Sequence, residues 1–334
     1  MRAVAIVVAY ESGPALTRCL DALREDKVDV VVVNNGGPGP ELEDARGREG
    51  VTVVEAGGNR GFGAGCNAGA AVTDAGVLVF LNPDTVAQPG AVAALARRLK
   101  DPGVGVAQAR LRLLDHPELL NSSGNVLHLS GLAWPGGYRE PADELVESCE
   151  IAYASGAALA IRADLFRELG GFTEELFLYQ EDLELCWRAR LRGLAIVVAP
   201  DADVMHDYVL ERAGRHKEYY LERNRLVFVL TAYSARLLVL LAPVLLAVEV
   251  GVALVALRRG WLGEKVRGWA WLAGHASWLG ARRRETQAAR RVTDRELARF
   301  LTPVLDPRML ELPAGVGVLN GAVSAWWRGV RVLL

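Results

Sequence analysis

The sequence is short of the residues that build soft-metal centres and covalent cross-links. Its four cysteines, Cys19, Cys66, Cys149 and Cys186, are scattered over 334 residues with no CxxC pair. That spacing excludes a structural zinc site of the usual kind and a disulfide framework, so the thiols are expected to be reduced and mostly structural. Histidine is scarce as well, at five residues. A secretory leader is not expected: the apolar stretch Ala3–Ala9 is too short for a signal-peptide core and runs straight into Tyr10-Glu11. The chain is therefore expected to start on the cytoplasmic side, with this stretch as a first β-strand.

A large net charge is lacking too, but the total of −2 hides two opposed halves. Residues 1–209 carry 18 basic and 30 acidic side chains and residues 210–334 carry 20 and 10, so the halves are about −12 and +10. An acidic body with a basic, tryptophan-rich tail suits anionic lipid better than nucleic acid. With 51% apolar residues the chain can bury a sizeable core, as one large domain with an appendage or as two modest domains.

Short apolar runs alternate with amphipathic stretches over the first hundred residues. Strands are expected at 3–9, 29–33, 51–54 and 76–81, with helices from Pro14 and over 89–99. This is a βαβ series with buried parallel strands, and Ser12 and Pro14 fit an N-cap and a first helical residue. From about 110 to 150 the pattern dissolves into Gly, Pro, Ser and Asn, which suggests a long binding excursion. Regularity returns with a strand over 151–161, a helix from Asp164, a helix near 180–192 and a strand over 195–199. After Asn224 the composition changes. Residues 237–257 are apolar with Glu249 as their only charge, close to the roughly 20 needed to cross a bilayer. Residues 261–281 carry Trp261, Trp269, Trp271 and Trp278 before Arg282-Arg283-Arg284, which suits a helix in the headgroup region. The competing reading makes both segments core helices of a helical subdomain, or a helical pair that dimerises, which keeps a homodimer among the candidate partners.

Asp84 follows an apolar strand and stands with Asn82 where the carboxyl ends of strands meet the ligand crevice in open α/β sheets. A carboxylate there can hold a divalent ion, although an Asn-Pro-Asp turn can also do no more than end a strand. Glu181 and Asp182 open a helix, where the macrodipole favours negative charge. His206 falls just past the strand at 195–199 and the turn Pro200-Asp201, so it should return to the same edge and serve a metal or phosphate. His116, His128, His216 and His275 read as surface or capping residues. Arg223 and Arg225 could clamp phosphate or form a solvated face. The glycine-rich turn 59–67 formally matches a dinucleotide fingerprint, but it follows the third strand rather than the first, which argues against a nicotinamide oxidoreductase.

In order, Ile6-Val7-Val8-Ala9-Tyr10, Val33-Asn34-Asn35-Gly36, Asn59-x-Gly61-Phe62-Gly63 with Asn67 and Gly69, Leu81-Asn82-Pro83-Asp84, Gly170-Gly171-Phe172, Tyr179-x-Glu181-Asp182-x-Glu184-Leu185 and His206 resemble glycosyltransferase family 2. The similarity is to inverting enzymes of GT-A type, in the bacterial rhamnosyltransferase and galactofuranosyltransferase branch, and covers roughly residues 3–228. It implies an α/β, Rossmann-like, mostly parallel sheet flanked by helices. The glycosyltransferase domain would be 1–228, with a nucleotide part to about 109 and an acceptor part from about 110. Residues 229–334 would form a helical membrane-associating region.

The resemblance further implies that Ala9, Tyr10, Glu11 and Asn34 line the nucleotide site, with Asn59, Gly61, Phe62, Asn67, Asn82 and Arg223 on the donor side. Asp84 and His206 would hold Mg²⁺ or Mn²⁺, and Asp182, beside Glu181, would be the base. The partners implied are a nucleotide-diphosphate sugar, a lipid-linked saccharide and the cytoplasmic face of the membrane, with no nucleic acid. A family aspartate is replaced by Asn34, which leaves the nucleotide base open; Gly37, Thr173 and Glu184 depart from the pattern too. A non-catalytic sugar-binding or scaffold protein of the same fold is the alternative.

Overall fold

A computed structural model describes residues 1–208, 217–306 and 316–334. In chain order its first elements are β1 (Ala3–Ala9), α1 (Pro14–Glu25), β2 (Asp29–Asn34), α2 (Pro40–Gly47), β3 (Val51–Glu55), α3 (Phe62–Ala71), β4 (Val77–Leu81), β5 (Thr85–Ala87) and α4 (Ala91–Arg98). There follow β6 (Val104–Leu113), β7 (Leu120–Ser122), β8 (Asn125–His128), β9 (Ala133–Pro135), β10 (Ala158–Arg162), α5 (Ala163–Glu168), α6 (Glu181–Leu191) and β11 (Ala195–His206). The remainder is α7 (Lys217–Ala232), α8 (Ala235–Arg259), α9 (Leu262–Gly274), α10 (Ala276–Ala288), α11 (Asp294–Leu297), β12 (Leu301–Thr302) and α12 (Val316–Leu333).

Two compact units result. One comprises residues 1–125, 135–190 and 194–210, and the other 126–134, 191–193 and 211–334. The resemblance implied a boundary after 228; the compact units divide earlier, with α7 in the second, where Arg225 pairs with Glu249 of α8 and Glu222 with Lys265 of α9.

The first unit is built on one mixed sheet in the order β3-β2-β1-β4-β10-β6-β11-β5, with β7 added to β6. Its first four strands are parallel, as the apolar runs predict, and β6 and β11 are also parallel. β10 runs antiparallel between β4 and β6, and β5 antiparallel to β11. Helices α1, α2 and α4 pack on one face, where Leu16, Leu20 and Leu23 of α1 recur at helical spacing and meet inward residues of the strands. Burying each such side chain contributes about 1.5–3 kcal/mol.

Three details differ from expectation. Ser12 is not the N-cap of α1; Gly13 takes that place at φ 51°, and the Ser12 hydroxyl accepts from Tyr10 N–H instead. The strand expected over 151–161 begins only at Ala158, because the N–H groups of Ser155 and Gly156 are taken by the side chains of Gln108 and Asp182 rather than by a neighbouring strand. β11 does not stop at Ala199: the register shifts between Ala199 and Asp203, and the irregularity absorbs Pro200, which has no N–H to give a ladder.

The glycines of α3 are packing devices. A Cβ on Gly69 would lie 2.5 Å from Ile6 Cγ2, and one on Gly65 2.7 Å from Val8 Cγ1, so α3 rests directly on β1. This use of the glycine-rich turn leaves the dinucleotide reading without its main support. Gly69→Ala should therefore cost roughly 1–3 kcal/mol through overpacking. Gly280→Ala on α10, whose nearest contact would be 3.5 Å away, should be neutral or stabilising. Urea unfolding of the two variants measures both; equal stability would refute the packing role.

Candidate active site

The carboxyl ends of β1, β2 and β4 lie at one edge of the sheet, where Ala9 pairs in register with Asn34 and Leu81 leads into Asn82-Pro83-Asp84. The turn is held from several sides. Asn82 N–H donates to Ala157 O at 3.0 Å, and the Asn82 carbonyl accepts from Thr85 Oγ1 at 2.7 Å. Cys19 lies against it, and burial pushes that thiol up to about 12, so it is packing rather than nucleophile. On the far side, Asp207 N–H donates to Asp84 O at 2.9 Å. β11 thus delivers His206 to the turn, as its predicted return to the same edge required.

Asp84 Oδ1 lies 3.3 Å from His206 Nε2 and is buried without a hydrogen-bond partner among the described residues. His206 Nδ1 is 3.0 Å from Asn121 Oδ1. An amide oxygen only accepts, so in this arrangement Nδ1 carries a proton. A carboxylate oxygen and an imidazole nitrogen that face each other at this distance can share a cation when the imidazole is neutral. Hard divalent ions bind with one or two protein ligands plus phosphate oxygens and water, and a ligating imidazole usually donates its other N–H as this one does. Among the described residues no group of three or more His, Cys, Asp or Glu gathers, so the pair fits an ion shared with a substrate rather than one caged by protein.

The second corner is the start of α6. Asp182 Oδ2 accepts from Gly156 N–H at 2.8 Å and Oδ1 from Leu183 N–H at 2.7 Å. The residue after Gly156 is Ala157, which holds Asn82, so the segment 156–157 ties the carboxylate of Asp182 to the Asp84 turn. Gly156 and Asn121 are the site residues that the sequence did not reveal. Gly156 acts through its backbone and leaves no trace in residue type, whereas Asn121 sits in the Asn-Ser-Ser-Gly stretch that read only as a loop.

Glu181 and Asp182 differ in environment. Burial, and then the charge of Asp182, pushes Glu181 well above the usual carboxylate range, and its Oε2 is buried with no hydrogen-bond partner among the described residues. Asp182 is raised by burial but is drawn back by N–H groups, above all that of Gly156. Tyr208 adds an aromatic wall, with its ring 5.6 Å from His206 and 5.9 Å from Tyr138. Burial, then Tyr138 and Tyr179, pushes its phenol up to about 12.

The other residues expected on the donor side take varied places. Tyr10 is exposed, and Glu11 is exposed at φ 48°. Asn34 donates to Glu55 Oε2 at 2.7 Å and accepts from Gly36 N–H. Asn59 caps its own loop by accepting from Gly61 N–H, and Phe62 N–H donates to Phe177 O at 2.8 Å. Gly61 is obligatory there: at φ 86° a Cβ would come within 2.2 Å of Phe177 O. Asn67 uses both ends of its amide on Phe172, with its nitrogen also on Glu174. Arg223 lies on α7 in the second unit, over the rings of Trp271, Tyr220 and Tyr219 at 4.7, 5.0 and 5.2 Å.

Of the remaining histidines, His116 is exposed beside Glu118 and His275 stacks on Trp271. His128 is buried, contrary to expectation: its Nδ1 meets Ser130 Oγ at 2.8 Å, and desolvation lowers it to about 4. His216 falls outside the described residues. Cys19, Cys66 and Cys186 are buried free thiols and Cys149 an exposed one.

The mixed sheet flanked by helices is a GT-A-like α/β fold. The chain belongs to the glycosyltransferase like family 2, whose profile matches residues 2–227. It is 28% identical over 259 residues to the N-acetylglucosaminyl-diphospho-decaprenol L-rhamnosyltransferase of Mycobacterium tuberculosis, covering 65% of this chain and 82% of that one. A low-salt glycan biosynthesis hexosyltransferase of Haloferax volcanii is 24% identical, over 66% and 73%. Among solved structures, the mannosyltransferase of Pyrobaculum calidifontis in complex with GDP-Man and Mn²⁺ superposes with a TM-score of 0.51 at 19% identity, covering 86% of this chain and 84% of that one. GalNAc-T7 with UDP, GalNAc and Mn²⁺ gives 0.58 at 17%, covering 69% and 48%. At such identities these structures establish the fold alone.

The Glu181 carboxyl provides a test of the site's electrostatics. Its folded-state pKa lies above the ordinary 4.5, so its contribution to stability is complete below that value and is lost as pH rises through the folded value. Glu181→Gln removes the ionisation and should raise the melting temperature at neutral pH, with the gain shrinking to nothing as pH falls below 4.5. Melting curves across that range check this; a gain that does not vary with pH would contradict it.

Proposed function

We propose that the protein is an inverting, metal-dependent glycosyltransferase. It would move a rhamnose-like or other hexose from a nucleotide-diphosphate donor to a polyprenyl-diphosphate-linked or other cell-envelope saccharide, at the cytoplasmic face of the membrane. The observation that carries this reading is the bridge through Gly156 and Ala157, which joins Asp182 to the turn bearing Asp84 and, through it, to His206. One corner suits proton removal and the other suits a diphosphate. The Mycobacterium tuberculosis relative, named for a diphospho-decaprenol acceptor, supports the lipid-linked class.

In this scheme Asp182 takes the proton of an acceptor hydroxyl while that oxygen attacks the anomeric carbon. The bond from that carbon to the diphosphate breaks on the opposite face, so the anomeric configuration inverts and the nucleoside diphosphate leaves with the bonding pair. Asp182 is the better base of the two neighbouring carboxyls. Gly156 N–H stabilises its ionised form, it keeps part of its surface exposed, and Glu181 is buried and holds its proton more tightly. Asp84 and His206 would hold Mg²⁺ or Mn²⁺, which when bound neutralises charge on the leaving diphosphate. Ala9, Tyr10, Glu11 and Asn34 lie at the strand ends where the nucleotide would bind.

Asp182→Asn should reduce transfer by about 10²–10⁴-fold, the usual contribution of a positioned base, with donor binding retained. A thermal-shift panel of uridine, thymidine and guanosine diphosphates with and without Mn²⁺ should show one metal-dependent shift, lost in Asp84→Asn and in His206→Ala. Undiminished transfer by Asp182→Asn, or shifts indifferent to metal in all three proteins, would remove the reading.

A further inference from the structure

α8 is the one helix among the described residues that is long and apolar enough to cross a membrane. Its surface is organised the opposite way to that of a soluble helix. Val239, Pro243, Leu246, Val250, Leu254 and Leu257, spaced by threes and fours, form one continuous exposed apolar stripe. Val239 is 73% exposed and Leu246 67%. The opposite stripe, Leu237, Leu241, Val244 and Val248, is buried in the unit.

The one acidic residue of α8 is not free to enter lipid. Glu249 pairs with Arg225 of α7 and, at 2.9 Å, with Lys265 of α9, and it accepts from Trp269 Nε1 at 2.7 Å. Glu222 of α7 completes the cluster, 2.8 Å from Arg225 and 2.6 Å from Lys265. Arg225 and Lys265 are almost wholly buried. Burial opposes the ionised carboxyls of Glu222 and Glu249, but the two cations outweigh it and hold both below the usual range. The cluster is thus two cations and two anions, internally neutral, and it clamps α8 near its middle to α7 and α9. If α8 crossed a bilayer, Glu249 would sit near the midplane and would carry Glu222, Arg225 and Lys265 with it. α9 has 13 residues, too few to accompany α8 across.

α12 extends the apolar surface. It runs antiparallel to α8, with Trp326 Nε1 donating to Leu240 O at 3.0 Å and Arg236 donating to Leu333 O. Its exposed residues include Val318, Leu319, Trp326 and Val332. The exposed charges on this pair of helices are all basic: Arg236, Arg258 and Arg259 on α8, and Arg328 and Arg331 on α12. Apolar stripes bordered only by cations complement an anionic lipid surface.

We propose that α8 and α12 lie together in the plane of an anionic membrane, the exposed stripe of α8 among the acyl chains, and that α8 does not span the bilayer. The proposal rests on the membrane association in the preceding reading but not on the transfer chemistry, and its test uses no sugar substrate. In full-length protein carrying Cys149→Ser, spin labels are placed singly at Val239, Leu246 and Leu257 and the protein is bound to phosphatidylglycerol vesicles. Oxygen and nickel accessibility should put all three at similar shallow depth. In a span, Val239 and Leu257 would lie roughly 27 Å apart along the membrane normal, on either side of a deep Leu246. Leu246→Glu with Val250→Glu should lower vesicle flotation at least tenfold while leaving the melting temperature unchanged. A depth profile peaking at Leu246, flotation indifferent to the double substitution, or lipid-independent spin coupling between copies would each overturn the proposal, the last by making the stripe a dimer interface.

Discussion

The antiparallel insertion of β10 between β4 and β6 is the constraint on which the first unit depends. Without it the sheet would be a four-stranded parallel half and a separate group of β6, β11, β5 and β7. β10 closes the ladder with Leu159 opposite Phe80 on one side and Gln108 on the other. Because it runs against its neighbours, the residues leading into it arrive at the carboxyl edge of β4. There Ser155, Gly156 and Ala157 are available to Gln108, Asp182 and Asn82. The geometry of the site is therefore a consequence of strand direction. A parallel strand in that place would begin at the opposite edge, leaving Asp182 without the Gly156 N–H and the Asn82 turn without the Ala157 carbonyl.

Where a signal is local and repeated, the sequence is readable. β1, β2 and β4 are buried apolar runs and β3 a part-exposed edge strand, and all four fall where expected, as does the return of His206 to Asp84. Non-local events are not readable. Nothing in residues 151–157 announces that the N–H groups of Ala154, Ser155 and Gly156 are claimed by distant side chains, so the strand there read as longer than it is. Pro200 looked like a stop because a proline ends regular ladders, yet the irregularity between Ala199 and Asp203 lets β11 continue. The same gap explains Asn121, whose role depends on lying beside His206, 85 residues away. His128 is a different case: it stands between Leu127 and Leu129, both buried with it, so its burial was marked by its apolar neighbours.

The second unit turns on a similar point about charge. Counting side chains makes its sequence strongly basic, but the count conceals that Arg225 and Lys265 are neutralised inside by Glu222 and Glu249. A buried network of this kind is weak evidence for stability, since desolvation of the four groups offsets much of their mutual attraction. Its consequence is positional. Breaking one partner would leave an uncompensated charge inside, so the register of α7, α8 and α9 is specified more sharply than apolar packing alone would do.

The two carboxyls that open α6 show how a fold can give adjacent, similar groups different tasks. Both lie in the first turn of a helix, where the macrodipole favours ionisation, and for an exposed pair that would be the whole account. Here burial is the larger effect and pushes both upward. What separates them is direction. Asp182 points to the N–H of Gly156, whereas Glu181 lies against α3, with its Cγ 3.8 Å from where a Cβ on Gly63 would stand. The charge of Asp182 adds to burial in raising Glu181, whereas backbone N–H groups draw Asp182 back down, so Glu181 holds its proton the more tightly. The hydrogen bond to Gly156 holds Asp182 on the same short segment that positions Asp84.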